Sequence, residues 1–188
     1  MPAKTETTFS LDGLFKLVSA QKSPPVEKWN PEFCGDIDMR IKADGTWFYM
    51  GTPIGRHRMV KLFSSVLRKD EDGKTYLVTP VEKIGIVVED APFVAVTLDV
   101  VQDNGKQVLA FETNVGDKVL AGQANPIHVD TNSKTGEPRP YVRVRANLDA
   151  LISRSVFYQM VEHAILKENE LFIESNGEVF SLGRLDER

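Results

Sequence analysis

With one cysteine in 188 residues the chain has no internal disulfide; its fold must be held by packing, and Cys34 fits a reducing compartment. Long apolar runs are missing too. Ile84 to Val88 is among the longest, and a membrane-spanning helix needs about 20 such residues. The first ten residues are polar and threonine-rich and lack the apolar stretch of a signal peptide. Positive charge is in deficit: 23 Lys and Arg against 27 Asp and Glu give a net charge of -4. No global basic field therefore draws the chain to nucleic acid or an anionic membrane. The expectation is a cytoplasmic protein with neither of those partners.

Reaction motifs are equally scarce. There is no Gly-x-Ser-x-Gly elbow, no phosphate loop ending in Gly-Lys-Ser/Thr and no dinucleotide glycine fingerprint. The three histidines, His57, His128 and His163, form no dense ligand pattern. His128 and Asp130 can point the same way on a strand, but two ligands do not make a zinc site. No catalytic residue, metal or cofactor is assigned.

What is present is globular: 41% hydrophobic and 27% charged residues exclude wholesale disorder. Ser10 and the spacing of Leu11, Leu14, Phe15 and Val18 predict a short helix over 11–20, ended by Ser23-Pro24-Pro25. Alternation from Asp36 to Ile41 predicts a strand, Asp44-Gly45 a tight turn and Trp47 to Met50 the return strand. Thr52-Pro53 reads as a helix start, with Met59, Leu62, Phe63, Val66 and Leu67 as the buried face. Strands follow at 75–79, 84–88, 93–101, 107–112, 119–121 and 127–129, with Asn104-Gly105 a turn. Pro140 to Arg145 is a strand, Asn147 a cap and Leu148 to Lys167 a helix. Two strands around Asn176-Gly177 close the chain.

A gapless overlay of 47–78 on 141–172 matches apolar with apolar at most positions, although Met59 meets Ser153 and Val60 meets Arg154. The expected fold is therefore α+β: an antiparallel meander with two repeated strand–helix–strand units and a short N-terminal helix. The organisation is 1–34 as helix and extended segment, 35–100 as first unit and 101–188 as second. In this reading Phe48, Met50, Val142 and Val144 face a core. Trp47 and Tyr49, with Tyr141, Arg143 and Arg145, form the opposite, aromatic and cationic side, a composition suited to recognition. Arg56 and Arg58, near a helix N-terminus with His57 and Lys61, are a second candidate for an anion, or a solvated face paired with Glu82, Glu89 or Asp90.

Four strings taken in order, Asp44-Gly45-Thr46-Trp47-Phe48-Tyr49, Thr79-Pro80-Val81-Glu82-Lys83, Val88-Glu89-Asp90-Ala91-Pro92-Phe93 and Thr113-Asn114-Val115-Gly116-Asp117, resemble the bacterial family known as domain of unknown function 1285. The resemblance runs from about Gly35 to the C-terminus. It implies an α+β protein with structural repeats, no established activity and a suggested role in signal transduction. It supplies no catalytic residues. Members often end in a Trp- and Gly-rich hairpin; here Glu174-Ser175-Asn176-Gly177 takes that place.

The first functional expectation is a non-enzymatic ligand- or protein-binding module for an anionic small molecule or protein partner. Its site would use Trp47, Tyr49, Arg56, Arg58, Tyr141, Arg143 and Arg145. The alternative is an enzyme of unrecognised type with an acidic and basic cleft between the units, built from Glu82, Lys83, Glu89 and Asp90. A third reading is a homo-oligomer that buries the aromatic face against itself.

Overall fold

The computed structural model describes residues 24–185; the helix expected over 11–20 lies outside them. The chain divides into two compact units between Glu89 and Asp90.

The first unit opens with a 3-10 turn, Val26–Lys28, and then builds one six-stranded sheet with one helix. In chain order its elements are β1 (Phe33–Ile41), β2 (Trp47–Tyr49), β3 (Thr52–Pro53), α1 (His57–Ser65), β4 (Leu67–Lys69), β5 (Thr75–Val78) and β6 (Lys83–Val88). The sheet order is β3-β2-β1-β6-β5-β4. Asp44-Gly45 turns as its chemistry dictates, Gly45 taking a φ of 86° and Asp44 accepting a hydrogen bond from the Thr46 N–H. Alternate residues of β1 and β6 point inward, so Met39, Ile41, Ile84 and Ile86 are buried, as are Phe63 of the helix and Val66 and Leu67 after it. Each such burial is worth about 1.5–3 kcal/mol.

The second unit contains β7 (Phe93–Asp103), β8 (Lys106–Thr113), β9 (Lys118–Leu120), β10 (Ile127–Thr131), β11 (Pro138–Arg145), β12 (Leu148–Ile152), α2 (Arg154–Glu162), β13 (Ile165–Lys167), β14 (Glu170–Ser175) and β15 (Glu178–Arg184). Its main sheet runs β10-β11-β12-β7-β8-β9, and β13-β14-β15 form a separate three-stranded sheet. Phe93, Leu109, Phe111, Val142, Ile152 and Met160 fill the core. Ser175, wholly buried, joins the two sheets: its Oγ accepts from the Leu109 N–H at 2.9 Å and donates to the Ala121 carbonyl at 2.7 Å.

The α+β expectation is corrected by this architecture. Among the described residues fifteen strands stand against two helices of nine residues each, so the protein is mostly β. It is not a strand–helix–strand repeat. A gapless overlay carries the first helix onto 151–159, whereas the second helix spans Arg154–Glu162. After α1 the chain returns to the main sheet; after α2 it builds the separate one. The meander is not wholly antiparallel either, since β1 pairs with β6 and β12 with β7 in parallel.

Local reasons account for each displaced element. Leu148 to Ile152 satisfies helical spacing and strand alternation equally. Sheet neighbours decide for the strand, burying Leu148, Ala150 and Ile152 and leaving Asp149 and Leu151 partly open. The helix then starts from Ser153, whose side chain accepts from the Val156 N–H. Thr52-Pro53 forms an edge strand, where proline's missing N–H costs no ladder bond. The core-facing assignment on β2 is reversed. Trp47 is 1% exposed and stacks on Phe63 with centroids 6.3 Å apart, while Met50 is 66% exposed. Met50 and Gly51 take positive φ values of 51° and 76°, so the chain turns where a further strand residue was expected.

Candidate functional site

The second unit places a polar ladder on β11. Period-two alternation buries Pro140 and Val142 on one side and puts Arg139, Tyr141 and Arg143 on the other. A register irregularity then falls between Arg143 and Arg145. Asn125 stabilises it, its Nδ2 donating to the carbonyls of Arg143 at 3.0 Å and Val144 at 3.1 Å.

Each ladder residue is held by a carboxylate. Asp90, at the entry to β7, accepts from Arg139 Nη2 through Oδ2 at 2.6 Å and from Tyr141 Oη through Oδ1 at 2.7 Å. Arg143 Nε donates to Asp149 Oδ1 at 2.5 Å and its Nη1 to the Ala146 carbonyl at 2.8 Å. Arg145 lies 3.5 Å from Asp117 Oδ2, with its guanidinium 5.2 Å from the Phe93 ring centroid. His128, opposite Tyr141 on β10, stacks on it with centroids 5.1 Å apart.

The electrostatics follow from those contacts. Burial, reinforced by the hydrogen bond to Asp90 and its negative charge, pushes the Tyr141 hydroxyl up to about 12. The Asp90 charge also raises Arg139 above the ordinary arginine value. Arg139, Arg143 and Arg145 keep side-chain exposures of 37%, 31% and 36%, so each is oriented by one carboxylate yet open to water. An oriented guanidinium loses less freedom when it takes a second acceptor.

Of the residues singled out from sequence, Tyr141, Arg143 and Arg145 share this strand. Trp47 is inside the core of the first unit. Tyr49 is half-buried on β2, opposite Met39 and Thr52. Arg56 precedes α1 without a side-chain cap, and both it and Arg58 are exposed with no ion pair among the described residues. The proposed counter-charges serve other cations: Glu89 pairs with Arg40 and Asp90 with Arg139. Nor do the four residues of the enzymatic alternative converge. Lys83 pairs with Asp70, and no ion pair joins any two of Glu82, Lys83, Glu89 and Asp90.

Sequence reasoning missed Arg139 and Asp149, and it weighed Asp90 and His128 only in other roles, as a counter-charge or acid–base group and as a metal ligand. Extending the Tyr141-x-Arg143 alternation back by two residues finds Arg139. Asp90 lies in the bend that leads into β7, two places from β11 in the sheet, and nothing local signals its pairing with Arg139 and Tyr141. Among the described residues no group of three or more His, Cys, Asp or Glu side chains is placed to hold a metal, and no helix is long and apolar enough to cross a membrane.

Two family profiles match the chain in succession. Residues 24–91 match the N-terminal domain of the family described as domain of unknown function (DUF1285), and residues 92–182 match its C-terminal domain. The chain belongs to the DUF1285 family. The step between the two profiles falls beside the Glu89–Asp90 division. A DUF1285 family crystal structure from Silicibacter pomeroyi DSS-3 is 49% identical, with a TM-score of 0.88, covering 95% of this chain and 97% of that one. A second, from Shewanella baltica OS155, is 28% identical with a TM-score of 0.51, covering 66% of this chain and 90% of that one. No curated protein matches the chain.

Proposed function

We propose that this DUF1285 protein is a non-enzymatic binding module that recognises a carboxylate or phosphate, on a small molecule or a protein partner, through Arg139, Tyr141, Arg143 and Arg145. The observation that carries the reading is the Asp90 carboxylate, whose two oxygens are taken by Arg139 and Tyr141 at 2.6 and 2.7 Å. These side chains thus have the geometry of an acid receptor, and hydrogen bonds to charged groups are the stronger kind. Arg143 and Arg145 extend the same chemistry along the strand. A bacterial cytoplasmic setting and a part in signal transduction belong to the same proposal. An exposed lone thiol, Cys34, and bacterial relatives support the setting.

The test is calorimetric titration of the full chain with citrate and with a tetra-aspartate peptide, in the wild type and in an Arg143→Ala/Arg145→Ala double variant. The variant is expected to keep its circular dichroism spectrum and to bind at least about tenfold more weakly, the loss of about 1.5 kcal/mol or more of charged hydrogen bonding. Unchanged binding in the folded variant sinks the assignment.

A further inference from the structure

A second site lies in the first unit, on the face of its sheet that carries Gly85 and Val87. Strand β6 runs between β1 and β5, and Gly85 sits opposite Asp36 on one side and Tyr76 on the other. A Cβ at position 85 would lie 1.9 Å from Asp36 Oδ1, so the aspartate carboxylate occupies the space a side chain there would fill. Phe33 Cε2 is 3.6 Å from the same point, and its ring, on a residue 55% exposed, packs edge-on to Tyr76 with centroids 5.9 Å apart. Beside this carboxylate is a cavity of about 350 Å3 whose lining includes Asp36, Gly85, Val87, Lys74 and Thr75. That volume suits a small molecule.

The two charged residues in the lining carry opposite signs. Neither the Asp36 carboxylate nor the Lys74 ammonium has a hydrogen bond or salt bridge with a described residue; the Lys74 backbone N–H donates to Asp72, whose carboxylate also feels the Lys74 charge. They do not neutralise each other because β6 lies between β1, which carries Asp36, and β5, which Lys74 immediately precedes, holding those two strands about 10 Å apart, two strand spacings. Val87, 47% exposed, supplies apolar floor between them. Charge of one sign would call for a simple ion. A carboxylate and an ammonium at two sides of an apolar floor call for a ligand with both complements.

We propose that this trough binds a small amino-acid-like zwitterion, its ammonium against Asp36 and Phe33, its carboxylate against Lys74 and its methylene groups over Val87. An ammonium is suited to a carboxylate beside an aromatic ring. The site is separate from the β11 ladder, and either can fail without the other.

Proton–nitrogen correlation spectra of the full chain, titrated with 5-aminopentanoate, pentylamine and pentanoate, test it. The zwitterion is expected to give saturable shifts at the amides of residues 36, 74 and 85–88. Each half-molecule should bind about tenfold more weakly, as loss of one charged hydrogen bond implies. Asp36→Asn should weaken the zwitterion by a similar factor with spectral dispersion intact. Gly85→Ala is the second variant. The backbone at Gly85 is not left-handed, so alanine is tolerated there, but its Cβ displaces the carboxylate and should weaken binding too. The proposal is overturned if the zwitterion gives no saturable shift at those amides, if pentylamine binds as well as 5-aminopentanoate, or if binding survives unchanged in whichever variant folds.

Discussion

Tyr141 concentrates the chemistry of the second unit in one side chain. Its hydroxyl donates to Asp90, its ring carries His128, and its burial disfavours the phenolate. A tyrosine whose folded-state value is raised adds stability below the ordinary value of 10.0. That contribution fades as pH rises towards the folded value of about 12. The Cζ chemical shift of Tyr141 in tyrosine-labelled protein should therefore show it protonated at pH 11, and ionisation near pH 10 would contradict the assignment. Because burial is the largest cause and Asp90 the second, Asp90→Asn should lower the midpoint only part of the way. Tyr76 in the first unit is also raised to about 12, but mainly by its hydrogen bond to Asp72. The two phenols therefore reach similar values by different routes.

At the scale of elements, turn chemistry was the most legible part of the sequence. Asn104-Gly105 and Asn176-Gly177 turn where they were expected to, with φ pairs of 49° and 77°, and 52° and 81°. Such dipeptides act through their own backbone preferences, so no distant partner is needed to read them. Strand against helix at Leu148 to Ile152 was not legible, because the deciding neighbours on β7 lie more than fifty residues earlier in the chain. The same holds for the parallel pairing of β1 with β6. The cap at Ser153 follows from that misplaced boundary, and it can be measured. Ser153→Ala should destabilise the protein by about 1 kcal/mol in urea unfolding, the usual worth of an N-cap. Asn147→Ala should leave helix α2 unaffected, since position 147 lies ahead of a strand. Equal effects on helix content by the two substitutions would restore the longer helix.

Across the whole molecule, the adjacent carboxylates at the division between the units gain a reading that sequence alone could not supply. Glu89 is tied back within the first unit, to Arg40 and to the Ala43 N–H, while Asp90 is tied within the second, to Arg139 and Tyr141. Neighbours in sequence thus serve different sheets. The candidate site shows the same mixture of legible and hidden. Tyr141, Arg143 and Arg145 were recognisable from alternation on a single strand, whereas Trp47 was misplaced because burial is decided by what packs over a residue, here Phe63. The carboxylates that orient the arginines come from β12, from the loop before β9 and from the entry to β7, so only the assembled sheet shows them.

The most direct test of the binding account maps where an acidic ligand lands. Proton–nitrogen spectra of the wild-type chain, titrated with the tetra-aspartate peptide at low salt, should show saturable shifts concentrated on residues 139–145 and on His128, weakening as salt is added. Saturable shifts confined to the exposed basic start of α1, or none on β11, would contradict it.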